Sequence, residues 1–388
     1  MEPKIRLKGF SGEWKKNVIG NIATFSKGRG YSKLDLKKEG NPIILYGRLY
    51  TNYSSAIDSV DTYATLQKGA VISKGNEVII PGSGETPEDI AVASSVKQKG
   101  VILGGDLNIV TFDSTIVDPT FAAMSITNSN THNELVGYAQ GKTVVHLHNT
   151  SISKGHISYP FVDEQKALVS YFQNLDSLIL STTKKIESLK QVKAASLQAM
   201  FPQEGETKPR VRFKGFEGDW KKVKLSDISI IKKGEQINKS DLDTVGEYYV
   251  LNGGMQPSGY TNIFNTPANT ISISEGGNSC GYVYFNEQNF WSSGHNYTLQ
   301  SVNIHSYFLY SYLKGIESLI MSKRVGSGLP NIQKRALADI AVCYPQVTEE
   351  QEKIAQYFRS LDNQISLQTQ RLEKLKQIKS ACLDNMFV

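Results

Sequence analysis

The sequence predicts an α+β chain: two mostly β domains separated by a long antiparallel two-helix coiled coil, with an internal repeat that makes the chain pseudo-two-fold. Three observations predict it. The stretch IRLKGFSGEWKK (5–16) returns as VRFKGFEGDWKK (211–222), 206 positions later. Residues 160–201 and 345–387 align at an offset of 186, with Glu164-Gln165 over Glu350-Gln351, Tyr171-Phe172 over Tyr357-Phe358, and Met200-Phe201 over Met386-Phe387. Between these repeats, 18–159 and 223–344 are short β-branched and aromatic runs broken by Gly, Asn, Asp and Ser turns. The expected division is 1–161, first β domain; 162–201, first helix; 202–208, linker; 209–345, second β domain; 346–388, second helix.

Bulk properties agree with two domains. A chain of 388 residues exceeds one compact core, and 39% hydrophobic with 21% charged residues argues against disorder. Net charge +6 leans mildly toward a polyanionic partner. Cys280, Cys343 and Cys382 are scattered and odd in number, so they build neither a disulfide framework nor a paired metal site. The first residues lack an apolar signal core and no run reaches the roughly 18 apolar residues of a membrane span, which reads as a cytoplasmic protein with no membrane partner.

The helices follow from composition and spacing. Both repeated segments lack internal Gly and Pro and are rich in Leu, Lys, Gln, Glu and Ala. Apolar residues fall at Leu168, Phe172, Leu175, Ile179, Ile186 and Leu189, with Thr182 between, and again at Ile354, Phe358, Leu361, Ile365, Leu372 and Leu375, with Gln368 between. That 4-3-4 stripe is a coiled-coil seam, narrower than the face of a helix covering its own domain. Asp163 is an expected N-cap, and Thr348 with Gln351 an expected capping box. At about 1.5 Å per residue each helix would run roughly 57 Å. PQEGETKP (202–209) is linker-like, and Trp14 and Trp220 are expected to dock the repeated opening beside a helix end.

The two β segments align loosely, with Gly47 over Gly253, Gly105 near Gly294 and Gly141 near Gly326, while the side chains between these turns differ. A helix is expected near Ser306–Ser318. Similar helices meet like partners; dissimilar loops read different targets. Two related readers at a fixed separation suit a polymer with two words, and duplex DNA offers half-sites about 34–36 Å apart per helical turn.

No catalytic constellation emerges. VIIPGSGE (78–85) resembles a methyl-donor motif, but SISEGGN (272–278) occupies the same place in the second copy, so a shared structural turn explains both. GYAQGKT (137–143) has three residues between its glycines rather than the four of a phosphate-binding loop. His146 and His148 alternate on one strand face without a third ligand. Loop residues suited to phosphates and base edges are Lys27, Arg29, Tyr31, Arg48, Tyr50, Ser83, Glu85 and Lys142 in the first segment. Those of the second are Lys232, Lys233, Met255, Gln256, Asn278, His295, Asn296, Lys323, Arg324, Lys334 and Arg335.

Two variable domains, each followed by a long similar helix, with KGFxGxW openings and P…EQ…YF…LD helix starts, resemble the specificity subunit of a type I restriction-modification system. SISEGGNSCGYVYF…FWSSGHNYTL and RVGSGLPNIQKRALADIAVCYP are similar to target recognition domains of that family. The resemblance implies a non-catalytic DNA-reading subunit of an endonuclease and adenine-specific methylation complex. Each domain would read half of a bipartite asymmetric site, and the helices would set the spacer and dock two methyltransferase subunits; motor-nuclease subunits join for cleavage. It also implies no cofactor in this chain, since methyl donor, ATP and magnesium would belong to those partners; the absence of a [DN]PP[YF] tetrapeptide accords with that. The alternative is a coiled-coil scaffold carrying two β-rich protein- or glycan-binding modules.

Overall fold

The computed structural model describes residues 2–388 except Ser327 and Leu329, with nothing assigned to the Lys239 side chain; Ser327 and Leu329 of the RVGSGLPNIQ motif thus lie outside the described residues. The chain divides into two compact units, Met1–Ser181 with Leu372–Val388, and Thr182–Arg371. Each unit therefore holds a portion of both long helices.

In the first unit, β1 (Lys15–Val18) pairs antiparallel with the strand that precedes the first long helix, Lys15 opposite Tyr159. The main sheet is antiparallel at its centre: β2 (Ala23–Lys27) and β3 (Glu77–Pro81) flank β4 (Leu107–Phe112). Strands Ser94–Val96 and Ala56–Ile57 extend it. β3 is buried along its whole length, as its EVIIP sequence requires, because α1 (Pro119–Asn128) covers the same core. Asp118 caps α1, its Oδ1 accepting from the Thr120 and Phe121 N–H groups. The strand before the long helix is β5 (His156–Tyr159), and the helix itself is α2 (Val162–Ala199).

The second unit repeats this plan. β6 (Lys221–Lys224) pairs with the strand Ala341–Tyr344. β7 (Ile230–Lys233), β8 (Thr270–Ser274) and β9 (Asn296–Gln300) form the antiparallel centre with β9 in the middle. The expected helix near 306–318 is two: α3 (Ser306–Gly315) and a short helix Glu317–Ser322. The second long helix is α4 (Thr348–Met386).

Within each unit the helix portions pack antiparallel. In the first, Tyr171 Oη lies 3.4 Å from Cys382 Sγ and Asp176 accepts from Lys379 at 2.5 Å. In the second, Tyr357 Oη lies 2.8 Å from Ser196 Oγ and Asp362 accepts from Lys193. Leu168, Phe172 and Leu175 are buried in the first unit's core with Leu375 packed against it, Ile179 is half-buried and Leu372 is buried. Ile186, Ile354, Phe358 and Leu361 are buried in the second, with Leu189 and Ile365 half-buried.

The helix ends close each core. Phe387 stacks obliquely on Phe121 and Phe172, at 5.7 and 5.8 Å, beside Trp14. Phe201 contacts Phe358, Phe308 and Trp220 at 5.5, 5.5 and 6.1 Å. The repeated opening exists to make these joints. Arg6 donates to both Glu164 oxygens, at 2.8 and 2.7 Å, and to the Gly12 carbonyl; Arg212 does the same to Glu350, at 2.6 and 2.8 Å, and to Gly218. Glu164 and Glu350 are buried, and each meets its arginine through two charge-assisted hydrogen bonds.

The helix starts correct the expected caps. α2 begins at Val162, which puts Asp163 inside its first turn. Gln351 does not return to Thr348: its amide donates to the Pro345 carbonyl at 2.7 Å and its oxygen accepts from the His305 N–H at 2.9 Å. Gln165 bridges Pro160 and Asp118 in the same way. The glutamines tie each long helix to the cap of the domain helix, a tertiary demand that outweighs local capping.

Candidate nucleic-acid interface

In each unit the loops at one end of the central sheet are fixed by the same backbone bonds. In the first, Gly28 N–H donates to Leu107 O, Gly82 to Asp106 O and Leu147 to Gly82 O. In the second, Gly234 donates to Asn296 O, Glu275 to His295 O and Ile332 to Glu275 O. A Cβ at Gly28 would collide with the Gly104 carbonyl, and one at Gly234 with the Ser293 carbonyl, so close backbone approach demands glycine at both. The frame is thus common, and side chains placed on it differ: Gly82 corresponds to Glu275 and Asp106 to His295.

At this end of the first unit, Lys27 closes β2 and is exposed, as are Arg29, Glu85 and Lys142. Four other expected readers are committed internally. Tyr31, at φ 58°, donates its hydroxyl to Thr65 O and accepts from Gln67 N–H. Arg48 pairs with Asp61 at 2.9 Å. Tyr50 donates to Ser83 O at 2.6 Å, and burial raises its pKa. Ser83 is buried and donates to Asp106 Oδ2 at 2.6 Å, which removes it from the surface set. His146 lies on a two-residue strand, Val145–His146, and His148 precedes the next helix rather than sharing that strand. Their exposed rings nevertheless stack, 6.2 Å apart and 3° from parallel.

In the second unit, Lys232 reaches Glu235 at 3.2 Å and Lys233 reaches Glu275 at 2.6 Å. Glu275 also accepts from the Tyr297 hydroxyl at 3.0 Å and faces His295 Nδ1 at 3.6 Å. Burial, then Glu275, pushes the Tyr297 hydroxyl up to about 12. Asn296 is buried on β9 and donates to Ser292 Oγ, so it too leaves the surface set. Ser274 and Ser279 both donate to Gly253 O, tying the loop bearing Asn278 to the loop bearing Met255 and Gln256; those three are exposed. Lys323, Arg324, Lys334 and Arg335 are exposed, the last two opening the helix Lys334–Ala338. Glu275, which organises this cluster, escaped the sequence reading; an acid within an otherwise small-residue turn was its only signal.

Such an end can neutralise phosphates with Lys and Arg and present amide, acid and imidazole groups to base edges. Among the described residues no group of three His, Cys, Asp or Glu is placed to hold a metal ion, and no helix is long and apolar enough to cross a membrane.

The sequence model described as "Type I restriction modification DNA specificity domain" matches residues 11–191 and again 217–377. A putative type I specificity subunit of Mycoplasma pneumoniae is 32% identical over 172 residues, 44% of this chain and 46% of that protein. Another, of Mycoplasma genitalium, is 32% identical over 163 residues, 41% and 40% of the two chains. The chain thus spans about half the length of the curated relatives it matches. The crystal structure of a type I restriction-modification S subunit from M. genitalium superposes with TM-score 0.70 at 18% identity, covering 100% of this chain and 99% of that one. A chain from a study of assembly and conformational transition of the type I system superposes at TM-score 0.54 and 15% identity, covering 97% and 98%. These structural likenesses concern the fold.

Proposed function

The chain belongs to the family of type I restriction modification DNA specificity domains, and from that premise we propose that it is the sequence-reading subunit of a type I restriction-modification complex. The observation that carries the reading is the double match, one copy per unit, on a common frame whose loops differ. The sheet end of the first unit reads one short word of duplex DNA and that of the second reads another. Exposed Lys and Arg position the backbone, and the long helices set the spacer between words. The subunit itself catalyses nothing. Two methyltransferase subunits dock on the duplicated helix regions and modify adenines, and motor-nuclease subunits complete the cleaving complex; methyl donor, ATP and magnesium are theirs to bind, and all act in the cytoplasm. The test is sequencing of modified adenines in a host carrying this chain with its methyltransferase partner. A bipartite motif with two unlike halves supports the reading. Exchanging residues 18–159 for another such domain should alter one half only; an unchanged motif, or two altered halves, overturns it. The rival scaffold for protein or glycan predicts no modified motif at all.

A further inference from the structure

Leu34 is 96% exposed, yet it sits on a tightly built turn. It lies at the middle of a single 3-10 turn, Lys33–Asp35. Ser32 Oγ accepts from the Leu34 N–H at 3.2 Å, and Asp35 Oδ2 accepts from the Ser32 N–H at 2.7 Å, a reciprocal capping box. Asp35 Oδ1 is reached by Gln67 Nε2, and Tyr31 fastens the neighbouring segment 65–67. The turn adjoins the sheet end described above, since Gly105 N–H donates to Gly30 O and Arg29 N–H to Leu103 O. Leu66, beside Gln67, is itself 52% exposed. Exposed cations lie close to this apolar tip along the chain, at Arg29, Lys33, Lys37 and Lys38, and Lys68 follows Gln67.

The second copy shows that the fold does not need this leucine. Asn238-Lys239-Ser240-Asp241-Leu242 stands 206 positions after Ser32-Lys33-Leu34-Asp35-Leu36. It makes the same turn, with Asp241 N–H donating to Asn238 O at 3.0 Å and Asn238 Nδ2 to Asp241 Oδ2 at 3.1 Å. There the tip is Ser240, and Arg29 and Lys37 are replaced by Glu235 and Asp243. One scaffold thus carries an apolar tip ringed by cations in one reader and a polar tip beside acids in the other. A large apolar side chain held in water on a preorganised turn, with exposed cations on either side of it in the chain, fits a partner that is anionic outside and apolar between its layers, which is a stacked duplex.

We propose that Leu34 is a wedge that enters a base step of the half-site read by the first unit, with the flanking cations on the adjacent phosphates, and that the second unit reads without one. The proposal rests on the DNA-reading function above. Partial unstacking by the wedge adds specificity for a deformable step, such as a pyrimidine–purine step, at a position no polar group contacts.

The test uses the full chain with its methyltransferase subunit and duplexes of the methylated motif, with 2-aminopurine placed in turn at each adenine of both half-sites. Flipping of the target base by the methyltransferase raises the fluorescence at that adenine in each half-site; beyond it, the wild-type complex is expected to raise the fluorescence at one further position, in the first half-site only. Leu34→Ser, which installs the residue the other copy carries, is expected to abolish that rise and weaken binding by about tenfold, while leaving the second half of the motif unchanged. Leu34→Met, still apolar, should retain both. Wild-type binding with no unstacked position beyond the two flipped adenines, or a Leu34→Ser complex indistinguishable from wild type, overturns the wedge and leaves the reading function standing. A wild-type complex that neither binds nor methylates duplex DNA overturns the reading itself.

Discussion

Lys379 donates to Asp176 at 2.5 Å, joining the last turns of one long helix to the middle of the other. Its counterpart is Lys193 to Asp362, where the aspartate also accepts from the Tyr307 hydroxyl at 2.9 Å, a second partner that Asp176 lacks among the described residues. Asp362 is also the less exposed of the two acids. Asp176→Ala should therefore cost at most about 1 kcal/mol, the range of exposed pairs. Asp362→Ala leaves a half-buried lysine and a buried tyrosine hydroxyl without their acceptor and should cost roughly 1–3 kcal/mol. Chemical denaturation of the two variants checks the difference; equal losses would mean that the duplicated pairs are energetically alike.

The repeated opening predicts a larger loss. Arg212→Ala would strand the carboxylate of Glu350, which is fully buried, and Arg6→Ala that of Glu164. Breaking such a pair from one side costs about 3–5 kcal/mol. Each single variant should lower the midpoint of unfolding strongly. The double variant Arg212→Met with Glu350→Leu should recover most of the loss, because no unpaired charge remains.

What was legible in the sequence was whatever repeats or is periodic. The dodecamer, the seam from Leu168 to Leu189 and the seam from Ile354 to Leu375 could be read because helix packing imposes a spacing on residue type. The helix α1 was not singled out, since it is buried on most sides and carries little periodic contrast, and the following Asn130–Tyr138 is short, with only Thr131 and Leu135 buried. The loop residues were legible as types but not as roles. Arg48 and Tyr50 look like readers by composition, yet Asp61 and the Ser83 carbonyl, 13 and 33 residues away, engage them. Glu275 looked like a turn residue, and gathers Lys233, Tyr297 and His295 only once β7, β8 and β9 are paired.

Acid should loosen the second unit through His305. Its Nδ1 accepts from the Phe308 N–H at 3.3 Å as the N-cap of α3, a role that requires the unprotonated ring. Burial lowers its pKa from 6.5, with Glu352 opposing and Arg359 adding to the shift. The unfolded chain therefore binds the proton more readily than the folded one. Stability from this group is complete above about pH 6.5 and declines as pH falls toward the depressed folded value. His305→Asn keeps an acceptor at the cap and cannot titrate, so thermal melts of this variant should lose less between pH 7 and about 5 than those of the parent. In the first unit Asp118 stands at the cap of the equivalent helix in place of a histidine.

Salt dependence separates the committed cations from the available ones. Lys233 is held by Glu275 and Lys232 by Glu235, so each brings a neutralised charge to the DNA. Lys334 and Arg335 are exposed at the start of a short helix on the same face as the Glu275 cluster, where Ile332 N–H anchors the loop to Glu275 O. Each phosphate contact contributes about 0.9 to the slope of log affinity against log salt concentration. Replacing Lys334 and Arg335 together by alanine should lower the slope by up to about 1.8 and weaken binding to all duplexes alike. Lys233→Ala should change the slope little, because a lysine held by Glu275 makes no phosphate contact to lose. A full unit of slope lost on Lys233→Ala would instead mean that DNA draws this lysine away from Glu275, and that the acid is left to His295 and Tyr297 in the complex.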